Sequence, residues 1–594
     1  MDGDVAQQTY DVIVVGSGAA GLSAAVTAAI AGLHVLVLEK EPLYGGTTAR
    51  SGGVLWVPGN GKFPHGESAA GGAALYLRTL LGANFDEKRV AAFLSVGPEM
   101  VSFMESRTSA VRFQPAHGFS DYHPDVAGAV TSGRSVVAEP YDGRALGREV
   151  ARLRPPLAES TLLGMMLNAS VDVKHFFSAT KSLKSLWHVT KLLSRYGRDL
   201  ITHRRAMRLT NGNALVARLA RSAFDLGVEI RTDTAVRGLE RDGSGRIAHV
   251  LASSGGQSLQ FTAKRGVVLA TGGFPLDMVR RKGLFPHERN GGEHLSPAAP
   301  GNTGDGIGLG ESVGGQFNPN LPNAAAWIPV SRVPDERRVR VFPHLIDRYK
   351  PGVIMVNTEG RRFVNESESY HVVGQAMLKQ TASDEEVAAW LIADHRAIRL
   401  YGLGFAKPAP LPLGPALRSG YLQSGNTVAE LAARIGVEPA VLEQTLYQYN
   451  ESAVEGRDAE FGRGSTAYNR FLGDPEHHPN PCVAPLARAP YYALRVVLGD
   501  LGTFAGLRTD EWARVLDQTG NPICGLYAVG NDASSIMGGH YPGGGITLGP
   551  AMTFGYIAAN HLAAMSEGHK NDEIALLRRD QDTSCLRRDL RADS

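Results

Sequence analysis

Asp11-Val-Ile-Val-Val15 runs directly into Gly16-Ser-Gly18-Ala-Ala-Gly21, and this junction restricts the possible folds more than any other stretch. Four β-branched or strand-forming residues in a row predict a buried strand. An alanine-rich helix follows to about Ala31, Gly32 stops it, and His34-Val-Leu-Val-Leu-Glu39 makes a second strand. The glycines stand at GxGxxG spacing inside a βαβ unit. The first allows the tight turn, the second lets backbone approach a pyrophosphate, and the third lets the helix pack closely. Glu39 offers a carboxylate to an adenosine ribose. A glycine turn alone occurs by chance, but strand, helix and acid together define a dinucleotide site. The apolar run from Val12 to Leu38 is too punctuated by glycine to be a membrane span.

A chain of 594 residues is too long for one simple core and predicts two domains with insertions. With 61 basic against 59 acidic residues, nothing asks for nucleic acid as a ligand. The 70 glycines cluster in short groups, as expected where backbone must approach a large ligand at many points. Cys482, Cys524 and Cys585 form no CxxC or Cys/His pattern, which predicts an intracellular, cytoplasmic location and no metal. Met1 to Gln8 is short and acidic where a secretory leader is basic.

The second loop selects among dinucleotides. Glu39-Lys-Glu-Pro-Leu-Tyr-Gly45-Gly-Thr-Thr-Ala-Arg-Ser51-Gly-Gly-Val-Leu-Trp56 is small and hydroxyl-rich, able to touch a second phosphate and a ring system. FAD proteins thread their cofactor past such a loop, and NAD dehydrogenases seldom need one. A helix over Asn213–Leu226 and strands over Val228–Thr232 and Thr234–Leu239 extend the same domain. Gly301-Asn-Thr-Gly-Asp-Gly306 lacks a preceding strand and reads as a turn starting a helix beside the flavin.

From about Pro329 to Arg495 prolines increase and the βαβ rhythm fades, marking an inserted domain. Within it Pro351–Asn357 and Gly360–Tyr370 read as a strand, a turn and a second strand leading to a loop. Asp384–Ile392 and Thr427–Glu451 read as amphipathic helices. The expected organisation is α/β, a Rossmann-like FAD-binding domain with an inserted α+β catalytic domain. The discontinuous FAD domain covers 8–328 and 496–568, the catalytic domain 329–495, and 569–594 is a peripheral tail.

Three stretches stay open on their residues alone. Asp121-Tyr122-His-Pro and the following Ser132-Gly-Arg-Ser read as a surface loop of turn residues. The 156–208 insertion is helical and basic, with Lys174, Lys181, Lys184, Lys191, Arg195 and Arg198 interleaved with Phe176, Phe177, Trp187 and leucines. It is either a solvated face over a core or a surface that meets lipid. Gly538-Gly-His-Tyr-Pro-Gly-Gly-Gly-Ile-Thr-Leu-Gly-Pro550 is either an ordinary loop-to-helix junction or a site for an anion or a polarised carbonyl.

With Glu39, the Gly46 and Gly52-Gly53 loop, Val267-Val-Leu-Ala-Thr-Gly-Gly273 and Gly525-Leu-Tyr-Ala-Val-Gly-Asn-Asp532, the chain resembles the flavoproteins that include fumarate reductases, succinate dehydrogenases and 3-ketosteroid dehydrogenases. The resemblance spans Tyr10 to about Leu562. It implies FAD contacts at Gly16, Gly18, Ala20, Gly21, Glu39, Lys40, Gly46, Thr47, Thr48, Ser51, Gly52, Gly53, Val236, Thr271, Gly272, Asp305, Gly530, Asn531, Gly545 and Leu548. Gly46 stands where succinate dehydrogenases carry the histidine that attaches FAD, implying a non-covalent flavin.

Fumarate reductases protonate substrate from the last arginine of Arg-Phe-x-Asn-Glu-x-x-x-Arg, and here Arg362-Phe-Val-Asn-Glu366 is followed by Tyr370 at that place. Their histidine-threonine pair is absent from Asp500-Leu-Gly-Thr-Phe-Ala-Gly506, so a dicarboxylate would find little to pair with. The chain is instead similar to the 3-ketosteroid Δ1-dehydrogenases, through Tyr122, Tyr370, Tyr541-Pro-Gly-Gly-Gly545 and Gly499-Asp-Leu-Gly-Thr503. Gly544 departs from the proline usual there.

The similarity implies that Tyr541 and the Gly545 N–H polarise a steroid 3-carbonyl and that Tyr370, assisted by Tyr122, takes the C2 proton while hydride leaves C1 for flavin N5. A neighbouring hydroxyl is expected to stabilise the Tyr370 phenolate, because free tyrosine near pKa ~10 is a poor base at neutral pH. The expected partners are an apolar 3-ketosteroid, an unidentified electron acceptor for which a quinone is one candidate, and membrane lipid at the periphery. Alternatives are desaturation at C4–C5, an enone or fumarate-type reductase, and a non-catalytic flavin scaffold. Any one of the 18 tyrosines has packing as its plainer explanation, and His540 reads as structural.

Overall fold

The computed structural model describes residues 8–63, 70–162, 164–167, 172–177, 182–289, 291–335, 338–381 and 386–564. The expected tail at 569–594, Cys585, Lys181 and residues 1–7 lie outside them, as do the side chains of Lys174 and Phe177.

The strand Gln8–Val15 occupies the middle of a sheet, parallel to Val35–Leu38 on one side and to Gln257–Leu269 on the other. Glu229–Arg231 extends one edge, and Pro522–Ala528 with Arg514–Leu516 extends the other. Burial on both faces explains the continuous β-branched run, which a half-exposed strand would not tolerate. The helix Ala19–Ile30 is buried over its first ten residues and rich in alanine because the C-terminal helix Leu548–Ala564 crosses it closely. Ser23 Oγ donates to the Met552 carbonyl at 2.8 Å, tying the two ends of the chain together. Ile247–Ser254 pairs antiparallel with Gln257–Leu269, and Ala235–Arg241 pairs antiparallel with Ile247–Ser254. The fold is α/β, an FAD-binding fold carrying a second antiparallel sheet.

The second sheet runs Arg340–Pro343, Ala325–Val333, Tyr491–Thr503, Ala388–Ala393, Val353–Val356, with Gln423–Gly425 also on Tyr491–Thr503. Ala325–Val333 and Tyr491–Thr503 straddle the junctions expected at 328/329 and 495/496, so the inserted sheet reaches from 325 to 503. Apolar packing continues from Ile13 and Leu269 in the first sheet to Trp327 and Leu498 in the second.

Three elements differ from the sequence reading. Ala388–Ala393 is a strand where Asp384–Ile392 suggested a helix, because it is buried between two partners and shows no alternation. Thr427–Glu451 is two helices, Val428–Ile435 and Pro439–Ala453, separated by Gly436 in the left-handed region and by Pro439. The expected second strand at Gly360–Tyr370 is reduced to one bridge between Val356 and Arg362. Tyr370 opens the helix Tyr370–Gln380, with Ser369 Oγ accepting the Val372 N–H at 3.2 Å. Its place is a helix N-terminus rather than a loop.

Candidate active site

One cavity of about 590 Å³ runs from the first βαβ unit to the inserted sheet. At its dinucleotide end the Ala19 N–H, first in its helix, donates to Thr48 Oγ1 at 3.1 Å and joins the two glycine loops. Glu39 Oε2 accepts the Ser17 hydroxyl at 2.5 Å, and Oε1 accepts the Glu41 N–H at 3.0 Å. Burial raises the Glu39 pKa, and these hydrogen bonds oppose the rise. Lys40 Nζ lies 2.7 Å from Asp305 Oδ2 and 2.6 Å from Thr303 Oγ1, pairing two expected cofactor residues across the rim.

Every FAD residue named from the sequence lines this cavity except Gly21. A Cβ at Gly21 would stand 2.1 Å from the Gly16 carbonyl oxygen, so its role is the close packing of helix on turn. The fit to a large polar ligand is visible in the side chains themselves. Arg154 Nε, Asn213 Oδ1 and Thr210 Oγ1 belong to lining residues and are buried without a hydrogen-bond partner. Hydroxyls, backbone N–H groups and a helix N-terminus beside these orphaned atoms suit a pyrophosphate-bridged dinucleotide.

The other end is built of tyrosines. The segment Asp121-Tyr122, expected at the surface, is buried, with Asp121 at 1% exposure. Asp121 is ion-paired with buried Arg134, accepts from Trp56 Nε1 at 2.9 Å and bridges Gly543. The Tyr122 N–H and the Tyr76 hydroxyl both donate to the Pro542 carbonyl, at 2.8 and 2.6 Å. The tyrosine of one loop is thereby fixed against the Tyr541-Pro-Gly-Gly-Gly545 turn of another, and the two rings stack at 5.6 Å. Gly545 has φ +102, and a Cβ there would meet the Trp56 nitrogen and Val54 oxygen at 2.6 Å. Only glycine suits that conformation, and no backbone carbonyl of the described residues takes its N–H.

Tyr370 arrives on the helix Tyr370–Gln380, which packs against Ala325–Val333 of the second sheet. Its hydroxyl lies 3.4 Å from that of Tyr122, and its ring is edge-on to Tyr541 at 4.9 Å. The Arg-Phe-x-Asn-Glu motif explains this position. Arg362 and Glu366 are fully buried, paired at 2.9 Å, and Arg362 also holds Asp458 at 2.8 Å while Arg463 holds Glu366 at 3.2 Å. Asn365 and Ser367 are bonded to Asn469, the neighbour of Tyr468. The motif is a buried ionic frame that delivers Tyr370 and Tyr468 to the same cavity.

Tyr468 and Tyr349 were missed from the sequence. Tyr468 packs on Tyr122 at 4.7 Å, its hydroxyl 2.7 Å from that of Tyr349, and the Arg348 guanidinium lies 5.0 Å from the Tyr349 ring centre. Nothing in a lone tyrosine far along the chain marks it as part of a cluster. Asp532 was also given no role, although its carboxylate accepts the Thr271 and Gly273 N–H groups at 2.5 and 2.9 Å and shapes the turn beside the flavin loop.

Burial pushes the Tyr370 hydroxyl well above its ordinary pKa, and Tyr122 and Tyr541 push it further. Tyr122 is likewise well above it through burial and Tyr541, with Arg348 opposing. Tyr541 is pushed up to about 12 by burial. The neighbouring hydroxyl expected to stabilise a Tyr370 phenolate therefore acts the other way among the chain's own groups. His540 is half-buried and desolvation lowers its pKa.

A dinucleotide cradle opening onto a buried cluster of phenols at the Gly545 turn defines a flavoprotein oxidoreductase. Residues 11–548 match the family model described as FAD binding domain. The chain is 41% identical to 4-oxocyclohex-2-ene-1-carboxylate 5-dehydrogenase of Sinomonas cyclohexanicum, over 94% of this chain and 95% of that one. It is 35% identical to 3-oxosteroid 1-dehydrogenase of Mycobacterium tuberculosis, over 94% and 98%. The crystal structure of 3-ketosteroid Δ1-dehydrogenase from Sterolibacterium denitrificans, in complex with 1,4-androstadiene-3,17-dione, superposes with TM-score 0.86 at 37% identity, over 94% of this chain and 100% of that chain. The protein belongs to the FAD binding domain family of flavoproteins and, within it, to the FAD-dependent oxidoreductases of the 3-oxosteroid 1-dehydrogenase type.

Proposed function

We propose that the protein desaturates the C1–C2 bond of a 3-ketosteroid. The reading rests on one observation, the convergence of Tyr122, Tyr370 and Tyr541 on the Gly545 turn. The Tyr541 hydroxyl and the Gly545 N–H hold the carbonyl oxygen and favour the negative charge it gains as the α-proton leaves. Tyr370 takes that proton at its hydroxyl oxygen. Burial disfavours a free phenolate, so Tyr370 reacts through its minor ionised form, faced by the Tyr122 hydroxyl that donates to it at 3.4 Å, and it ends the step as a neutral phenol. FAD, held without a covalent bond since Gly46 offers no side chain for attachment, supplies the hydride acceptor.

A second reading is favoured by Lys407. It lines the cavity wall, donates to the Glu159 carbonyl at 3.1 Å and lies between the Phe342 and Phe405 rings at 5.5 and 5.7 Å. Burial lowers its pKa, so an anion there would be welcome. A six-membered ring ketone bearing a carboxylate, like that named for the Sinomonas relative, would use the same tyrosines and this lysine. Purified enzyme with an artificial electron acceptor is offered 4-androstene-3,17-dione, a 5α-saturated 3-ketosteroid and 4-oxocyclohex-2-ene-1-carboxylate. Formation of the 1,4-diene supports the first reading, a new C4–C5 bond the related desaturation, and turnover of the small acid alone the second. No product from any of them, with FAD bound, rules out all three.

The helix Leu183–His203 supports a lipid contact. It exposes Leu183 at 86%, Trp187 at 71% and Ile201 at 86%, with Leu186, Leu193 and Leu200 on the same side. Lys184, Lys191 and Arg198 are exposed along one flank. An apolar stripe beside a basic edge suits an anionic membrane surface. No described helix is long and apolar enough to cross a membrane. Cosedimentation with vesicles containing phosphatidylserine, lost in a Trp187→Ser, Ile201→Ser variant, is the expected result. Equal recovery of both proteins with the vesicles would remove this contact.

A further inference from the structure

Behind the flavin-side wall of the cavity, where Leu501 and Gly502 line it, lies a chain of three buried titratable side chains that the desaturation does not use. Asp500 is fully buried, and its Oδ1 accepts the Gly502 N–H at 2.6 Å. Its Oδ2 lies 2.9 Å from His294 Nε2, and His294 Nδ1 lies 2.9 Å from His287 Nε2. The rings of Phe285 and Trp327 close over the two imidazoles, Phe285 at 4.9 Å from His294 and Trp327 at 5.7 Å from His287.

With Asp500 as a carboxylate and both imidazoles neutral, His294 donates from Nε2 and presents a lone pair at Nδ1. His287 fills that lone pair from Nε2 and is left with a bare Nδ1, which is buried and has no partner. Burial, His294 and Arg281 push the His287 pKa down to about 3, in keeping with a neutral ring. The charged neighbours are already engaged. Arg281 is ion-paired with Glu288 and donates to the Pro275 carbonyl at 3.0 Å, and Glu293 faces Arg332 and Arg495. His371, on the helix packed against Ala325–Val333, accepts the Trp327 N–H through Nδ1. No lysine or arginine of the described residues is paired with Asp500. In that state the trio carries one net negative charge, set behind the loop at Gly502 that lines the cavity.

Hydride arrival adds a further negative charge to the cavity, and two like charges in a poorly screened interior repel. We propose that His287, His294 and Asp500 form a proton relay that takes up one proton when the flavin is reduced and returns it on reoxidation. A proton binds His287 Nδ1, the His287 Nε2 proton moves to His294 Nδ1, and the His294 Nε2 proton moves to Asp500 Oδ2. Both imidazoles end neutral in the opposite tautomer, and Asp500 ends as a neutral carboxyl group. One proton enters and none leaves. The relay requires only that FAD is bound, so it stands apart from the choice of ketone substrate.

The test is the pH dependence of the flavin midpoint potential in the purified holoenzyme. Potentials are measured by slow reduction with xanthine and xanthine oxidase against reference dyes, over the pH range in which the reduced-flavin spectrum stays constant. For a two-electron couple each proton taken up moves the potential by about 30 mV per tenfold change in proton activity. The hydride accounts for one proton, and the relay adds a second. Wild type is expected to show about 60 mV per pH unit, and Asp500→Asn, which keeps the shape of the side chain but cannot take up a proton, about 30 mV. His287→Phe, remote from the flavin loop, is expected to lose the second proton as well and covers the case in which Asp500→Asn fails to hold FAD. A wild-type slope of about 30 mV, or a His287→Phe slope equal to wild type at about 60 mV, overturns the proposal.

Discussion

Replacing Tyr541 by Phe separates the proposed carbonyl clamp from the packing role of the residue. The ring is 4% exposed and held by Tyr122 at 5.6 Å, Tyr370 at 4.9 Å and Phe504 at 6.2 Å. Phenylalanine fills the same space, so packing is retained. The hydroxyl's partners within the chain are Tyr370 and Thr547, and Tyr370 keeps Tyr122 when Tyr541 is changed. The folding cost is therefore about one neutral hydrogen bond, ~1 kcal/mol. Loss of one of two donors to a developing oxyanion costs ~3–4 kcal/mol in the barrier, or about a hundred- to a thousandfold in rate. Anaerobic rapid mixing with 4-androstene-3,17-dione, followed by bleaching of the flavin, reads that step directly, while FAD content and thermal midpoint report the fold. A reduction rate within about tenfold of wild type, with FAD fully bound, would refute the clamp.

Gly545→Ala is expected to be far more damaging than its size suggests, since the Cβ would stand 2.6 Å from two backbone atoms at φ +102. Loss of both FAD retention and several degrees of thermal midpoint should be measured. Flavin reduction by substrate should rise steadily from about pH 7 to about pH 10, because the Tyr370 hydroxyl is held well above its ordinary pKa, and Tyr370→Phe should abolish the rise. A plateau below about pH 9 would point to a different base. Asp458→Ala takes from buried Arg362 one of its three carboxylate partners, leaving Glu366 and the exposed Glu460, and is expected to cost ~3–5 kcal/mol, seen in denaturant unfolding. The Arg362 contacts hold the Glu366 and Asp458 carboxyls below their ordinary range against the opposing effect of burial. Their contribution to stability is complete above about pH 4–5 and lost as pH falls through the depressed values, and Asp458→Asn should flatten that acid limb.

The cofactor half was legible because its signal is local. Gly16 to Glu39 states the turn, the helix and the acid within one supersecondary unit, and nearly all the residues named from it line the cavity. The tyrosine end of the cavity was legible only through motifs. Tyr122 looked like a surface turn because its loop is polar, and that polarity serves Asp121, Trp56 and Arg134 inside the protein. Tyr468 and Tyr349 gave no signal, since their meaning comes from a neighbour far along the chain. Ala388–Ala393 was misread for a different reason, because a strand covered on both faces has no period to detect. The Arg362 motif gave the place of Tyr370 but not the cause, which is the charge pairing with Asp458 and Arg463 that only folding brings together.

The crossing of the helix Ala19–Ile30 by the helix Leu548–Ala564 also sets an order on synthesis. The glycine turn at Gly16 leaves the ribosome first, but its helix is covered, and Gly545 is set beside Val54 and Trp56, only when the last tenth of the chain emerges. At roughly 5–20 residues per second the interval is on the order of half a minute to two minutes. Through that time the face of the first helix that the last one covers stays open to solvent, which makes the nascent chain prone to association until synthesis ends.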